Sequence, residues 1–189
     1  MIEAAFLREG LRPIRIGQLA AEARCSRSTL YELAPSKEEL LLLVLERIMR
    51  RIERRGSDAI QRQREPVEQI RAMFNSGALD FAPLGATFME AVQDYPPARW
   101  LFEEHLESAR NVLEGLIEDA INRRQFRPVN AGVIAEGLFV AVLRFTDPAF
   151  VRSAGITSSA ALSEFFDALI NGLTLDPRRA ALGFVGNEA

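Results

Sequence analysis

The chain has 189 residues, of which 48% are hydrophobic and 26% are charged, and its formal net charge is −3 at pH 7. This is an ordinary soluble composition with enough length for a sizeable core in one or two domains. No uncharged apolar run approaches the roughly 18 residues of a membrane span, and one cysteine cannot form an internal disulfide. No secretory signal pattern opens the chain, so we expect a cytoplasmic protein with no membrane partner.

The charge is unevenly distributed along the chain. Residues 1–55 hold 11 Lys/Arg and 8 Asp/Glu, a balance of +3, whereas residues 56–189 hold 12 and 18, a balance of −6. A basic N-terminal part on a larger acidic part is consistent with local contact to nucleic acid.

Residues 16–40 have the pattern of a helix-turn-helix. A first helix is predicted from apolar residues spaced at i, i+3, i+4 and i+7, namely Ile16, Leu19, Ala20 and Ala23. Ser26 is predicted to cap a second, short helix, which Pro35 ends. Ser36 and Glu39 form a capping box that predicts a third helix from about Lys37.

The short helix is predicted to be amphipathic. Leu30 and Leu33 are expected to point toward a core, which leaves four polar side chains outside: Arg27, Ser28, Thr29 and Tyr31. These residue types suit base edges and phosphate oxygens, so the pattern predicts a helix that enters the DNA major groove.

The string from Phe6 to Leu40 resembles the DNA-binding domain of TetR-type bacterial repressors. The matching positions are Gly10, Ile16, Leu19-Ala20, Ala23, Ser26, Thr29-Leu30-Tyr31 and Ser36-Lys37-Glu38-Glu39-Leu40. The resemblance implies an all-α homodimer that binds a palindromic operator in double-stranded DNA until a ligand releases it. By position, Thr29, Tyr31 and Lys37 would contact DNA, the last two mainly at phosphates.

The predicted domains follow from this resemblance. Residues 1–45 would form a three-helix DNA-binding domain, and residues 46–189 a larger helical domain for ligand binding and dimerisation. Periodicity predicts further helices at 37–55, 66–76, 83–94, 98–124, 131–143 and 159–173. A weak break is expected at Gly56-Ser57, a loop at about 146–158, and a frayed tail after Asp176.

The helix predicted at 131–143 carries one charge, Glu136, and is apolar nearly all round. Such a helix must be covered on more than one side, so we expect a partner subunit on one face. In TetR-type proteins the last two long helices form the dimer interface. The residues predicted there are Val133, Gly137, Val140, Phe165, Phe166 and Leu169.

Aromatic residues and methionines of the larger domain are candidates for a ligand cavity. The predicted lining is Met73, Phe74, Phe88, Met89, Trp100 and Phe139, with His105 as a polar anchor. Apolar walls with few polar groups favour a small apolar or aromatic effector. The same residues at the same spacing would also suit a plain core, and that alternative stays open.

No catalytic pattern is present. The sequence lacks G-x-S-x-G, a P-loop, a dinucleotide fingerprint and metal-ligand spacing, so neither an enzyme nor a cofactor nor a metal site is predicted. The alternative to a DNA-binding regulator is a TetR-like helical dimer that binds a small molecule or a protein without specific DNA binding. Arg24, Glu32 and Ala34 favour it, since the family usually has Gly at the first of these positions and Phe at the last.

Overall fold

A computed structural model describes residues 1–175, so the predicted tail after Asp176 lies outside the described residues. These residues form ten α-helices and no strand, which confirms the all-α prediction. The helices are α1 (Ile2–Glu9), α2 (Ile16–Ala23), α3 (Arg27–Leu33), α4 (Lys37–Gln61), α5 (Pro66–Phe81), α6 (Ala86–Asp94), α7 (Pro96–Asn122), α8 (Ala131–Phe145), α9 (Pro148–Ala154) and α10 (Ser158–Leu173).

Helices α1–α3 form a small unit, here called the reading head. Its tight turn is built by Arg24, which adopts the left-handed conformation with φ 53° and ψ 43° and ends α2. Ser26 then caps α3, because its hydroxyl accepts a hydrogen bond from the backbone N–H of Thr29 at 3.0 Å. The predicted cap of this helix is confirmed.

Helix α4 begins where the capping box predicts, since Ser36 accepts a hydrogen bond from the backbone N–H of Glu39 at 3.1 Å. The predicted break at Gly56-Ser57 is wrong, because α4 continues to Gln61. One glycine costs a helix only about 1 kcal/mol, which the packing of the flanking turns offsets. The proposed boundary between residues 45 and 46 therefore falls inside a continuous helix.

Other helix ends also differ from the sequence prediction. Helix α5 extends to Phe81, and α9 occupies most of the segment predicted as a loop at 146–158. Helix α9 has a complete start signal: the Asp147 carboxylate accepts a hydrogen bond from the N–H of Ala149 at 2.8 Å, and Pro148 occupies the first turn.

The buried side chains form two clusters. One cluster joins the reading head to the rest of the chain, since it runs from Phe6 through Leu45 to Phe88 and Phe102. The other holds α5, α7, α8 and α10 together around Ile70, Ile117, Phe166 and Ile170. No helix in the described residues is long and apolar enough to span a membrane.

Two ion pairs tie α4 to its neighbours. Arg51 bonds Glu3 of α1 at 2.7 Å, and this hydrogen bond holds the pKa of Glu3 below its ordinary value. Arg55 pairs with Asp80 of α5, whose side chain is only 5% exposed. Helix α4 is thus bonded both to the reading head and to α5, which is the helix that packs most extensively along it.

Candidate functional site

Helix α3 presents polar side chains to solvent. Arg27, Ser28 and Thr29 are exposed, and Tyr31 is 52% exposed, whereas Leu30 is buried and anchors the helix. The prediction that Leu33 points to the core is wrong, since this side chain is 59% exposed. Helix α3 ends at this residue, and the chain turns so that Ala34 fills the inner position instead.

The first turn of α3 carries a hydroxyl network. Ser26 Oγ lies 2.7 Å from Ser28 Oγ and 2.9 Å from Thr29 Oγ1. These hydroxyls are exposed, and hydroxyl groups can both donate to and accept from base edges or phosphates. In helix-turn-helix proteins the N-terminal turn of the recognition helix is the part that contacts bases, and the network lies in the N-terminal turn of α3.

Lys37, the first residue of α4, is bonded to main-chain atoms of its own chain. Its ammonium donates hydrogen bonds to the carbonyl oxygens of Leu11 and Arg12, at 3.1 and 3.3 Å. The side chain thereby joins the start of α4 to the segment that follows α1. A phosphate contact at Lys37 would have to share or replace these two bonds.

Three arginines of the N-terminal helices have no ion partner in the part of the chain that the structure describes. Within residues 1–175, Arg15, Arg24 and Arg27 are exposed and form no ion pair, whereas Arg8 and Arg12 are neutralised by carboxylates. The sequence shows the arginines but not their pairing, which depends on side chains as distant as Asp94. Within residues 1–35, the arginine charge that no carboxylate of the described chain neutralises is therefore carried by Arg15, Arg24 and Arg27.

A cavity of about 460 Å³ lies between α4, α5, α7, α8 and α10. Four of the residues predicted for a ligand site line it, namely Met73, Phe74, His105 and Phe139. Phe166, which was predicted for the dimer interface, lines it as well, and its ring stacks on that of Phe74 with centroids 3.6 Å apart. A cavity of this size and apolar lining is suited to a small organic molecule.

The other three predicted residues lie elsewhere. Phe88 is fully buried in the cluster that reaches the reading head, and Met89 lines a separate space of about 160 Å³. Trp100 is 65% exposed. It lies two residues from both Ala98 and Phe102, which face the core, and a two-residue step turns a helix to its opposite side.

The cavity carries more acidic than basic groups. Glu53 and Asp167 line it, and neither forms an ion pair within residues 1–175. Arg110 is bonded to Glu114 at 3.1 Å and lies 3.7 Å from Glu136. Burial lowers the pKa of His105 below its ordinary value, although the nearby Glu53 charge opposes this, so the imidazole is neutral at pH 7.

Apolar side chains on α8 and α10 face solvent in the single chain. Val133 is 66% exposed, Val140 is 53% exposed and Phe165 is 37% exposed. A β-carbon on Gly137 would meet no atom within 4 Å, and Leu169 is half-buried. Phe166 differs from this group because it is buried against Phe74 of its own chain.

Comparison with known proteins shows a shared fold. No family model matches the chain. An uncharacterized HTH-type transcriptional regulator, YvaF of Bacillus subtilis strain 168, is 21% identical over 163 residues, which are 85% of this chain and 86% of that protein. A putative transcriptional regulator from Saccharomonospora viridis, solved in complex with choline, has a TM-score of 0.76 at 16% identity and covers 93% of this chain and 94% of its own.

A second solved structure supplies the family name of the fold. The TetR family transcriptional regulator PfmR from Thermus thermophilus has a TM-score of 0.63 at 19% identity, over 92% of this chain and 98% of its own. The protein is thus a helix-turn-helix protein by its N-terminal architecture. More particularly, it has the fold of the TetR family of transcriptional regulators.

Proposed function

We propose that this protein is a TetR-type transcriptional regulator that binds a palindromic operator as a homodimer. The observation that carries the proposal is α3, a short capped helix anchored by one buried leucine with Arg27, Ser28, Thr29 and Tyr31 exposed. Arg27 on this helix and Arg15 and Arg24 at the two ends of α2 form no ion pair within residues 1–175, and they supply the positive charge that phosphate contacts require. Repression is the expected mode of regulation, since a bound dimer covers its operator.

The dimer would use α8 and α10. Their exposed apolar side chains, Val133, Val140 and Phe165, lie on the surface of the single chain, where burial against a second copy would remove them from water. The two-fold symmetry of such a dimer is the reason to expect a palindromic operator. Phe166 is left out of this interface, because it packs within its own subunit.

Release would follow from a small molecule that binds in the cavity. Helix α4 has 25 residues and is roughly 37 Å long, with Lys37 beside the reading head and Gly56 in the cavity wall. An effector that prefers the conformer with wrongly spaced reading heads lowers operator affinity by its differential binding energy. The Saccharomonospora viridis regulator of similar fold was solved in complex with choline, which supports a small-molecule effector for this protein.

A second function is favoured by two observations on the reading head. Lys37 is bonded to carbonyl oxygens of its own chain, and Glu32 and Leu33 are exposed on α3 where they would face DNA. Both features fit a helical dimer that binds a small molecule or a protein without specific DNA contact.

An electrophoretic mobility shift on the DNA that flanks the gene separates the two functions. The purified protein should shift this DNA in the presence of excess random competitor at moderate salt. Thr29→Ala should weaken the shift, whereas Ser153→Ala, an exposed serine on α9, should not. Equal affinity for flanking and random DNA would favour the second function.

A further inference from the structure

We propose that the effector is a lipophilic monocation whose ammonium lies at Glu53 and whose apolar body lies among the phenyl rings of the cavity. This inference rests on the proposed function, because it takes the cavity to be the effector site. It narrows the effector from an apolar molecule of unspecified charge to one class of ligand.

The residues that line the cavity include two carboxylates. Glu53 and Asp167 line the cavity without an ion pair in the described part of the chain. Both residues are exposed in the single chain. A ligand ammonium can therefore reach either carboxylate and form an ion pair that water partly screens, while the apolar body of the ligand enters the apolar lining.

The residues that line the cavity disfavour an anionic ligand. Among the described residues that line the cavity, Arg110 is the one arginine and none is a lysine. The Arg110 guanidinium already bonds Glu114 at 3.1 Å and Asn111 at 2.7 Å. A carboxylate ligand would find no free cation on these walls and would be repelled by Glu53, so fatty acids and similar anions are disfavoured.

Glu53 shares the cavity with a neutral imidazole. Glu53 of α4 and His105 of α7 both line the cavity, and burial keeps the histidine uncharged at neutral pH. The imidazole therefore does not neutralise Glu53, which stays available to a ligand cation. It can still accept a hydrogen bond from a primary or secondary ammonium.

Phenyl rings line the cavity. Phe74, Phe81, Phe139 and Phe166 come from three different helices, α5, α8 and α10. The faces of phenyl rings attract cations as well as apolar groups, so one wall can accommodate both parts of an amphiphilic cation.

Calorimetric titration of the full-length protein with three chain-matched probes tests the proposal. Octyltrimethylammonium should bind about tenfold or more tightly than octanol, and octanoate more weakly than octanol. Glu53→Gln should reduce cation affinity by about threefold, as expected for an exposed ion pair, and Asp167→Asn by less, with octanol affinity unchanged in both. Glu118→Gln, an exposed carboxylate on α7 outside the cavity, is the matched control and should change nothing.

The result that overturns the proposal is tighter binding of octanoate, or a cation preference that survives both Glu53→Gln and Asp167→Asn. An operator shift assay with the same probes separates this failure from that of the proposed function. If the protein binds its operator and octanoate releases it, the proposal of a cationic effector is wrong and the proposed regulatory function holds. If the cation binds as expected but the protein binds no operator, the proposed class of ligand holds and the proposed regulatory function is wrong.

Discussion

Gly10, at the end of α1, lies directly against the main-chain carbonyl of Thr87 in α6. A β-carbon on Gly10 would be 2.8 Å from that oxygen and 2.9 Å from Thr87 Cγ2, and the φ of Gly10 is +71°. An ion pair between Arg12 and Asp94 at 2.8 Å reinforces the same junction. The reading head therefore packs closely on the larger helical body at a position where only glycine fits.

Gly10→Ala should lower the free energy of unfolding by about 2 kcal/mol, because the new methyl group meets backbone and the positive φ is strained for alanine. Thermal denaturation measures the effect. Gly115→Ala is the matched control: a β-carbon there meets nothing within 4 Å, so this variant should gain up to about 1 kcal/mol from helix propensity. Equal stability of the wild type and Gly10→Ala would contradict the close contact.

Arg24→Gly should raise stability by about 1 kcal/mol, since a non-glycine residue in the left-handed region costs about that much. Arg24 has φ 53° and ends α2 in this region. Urea denaturation provides the measurement. Arg123→Gly is the control, because Arg123 ends α7 with φ −85° and gains nothing from glycine. A loss of stability in Arg24→Gly would show that the side chain matters more than the backbone strain.

His105 should make the protein less stable in mild acid. Burial depresses its folded-state pKa, so between that value and the unfolded pKa of about 6.5 the unfolded chain binds more protons than the folded chain. The contribution of neutral His105 to the free energy of unfolding is fully present above the pKa of the unfolded state. It is lost as the pH falls through the pKa of the folded state. Urea denaturation at pH 7.5 and 5.5 should show a larger loss in the wild type than in His105→Gln. An identical loss in both would rule out this histidine as the cause.

The sequence predicts the helices better than it predicts which neighbour each side chain meets. The caps at Ser26 and Ser36 depend on residues within three positions, and both are confirmed. Phe166 lies next to Phe165 on a wide apolar stripe, and only the packing of α10 on α5 decides that it stacks on Phe74. Trp100 is exposed because its face of α7 has no neighbour in the single chain, which spacing alone cannot show.

The pairing of charges is equally invisible in the sequence. Arg55 is bonded to Asp80 across 25 positions, whereas Arg24 has no ion partner in residues 1–175. The two arginines look alike as residue types, and the helix packing alone distinguishes them. The same holds for Lys37, whose carbonyl partners at Leu11 and Arg12 precede it by more than 20 positions.

Val140→Asp should convert the proposed dimer into a monomer. Val140 is 53% exposed in the single chain and lies on the apolar face of α8, where a partner subunit would desolvate a carboxylate at a cost of several kcal/mol. Light scattering measures the mass in solution. Leu79→Asp is the control, because Leu79 is 76% exposed on α5 and lies outside α8 and α10. The mass of this variant in solution should equal that of the wild type. A monomeric wild type would contradict the interface.

Selection from a pool of randomised double-stranded DNA, carried out at moderate salt, tests the central claim most directly. A dimer that presents two α3 helices should enrich a palindrome whose half-sites are about one helical turn apart, roughly 34–36 Å. Tyr31→Phe should weaken binding to good and poor sites about equally, as the loss of a phosphate contact does. Enrichment of no palindrome would contradict the account and would leave a helical dimer that does not read DNA.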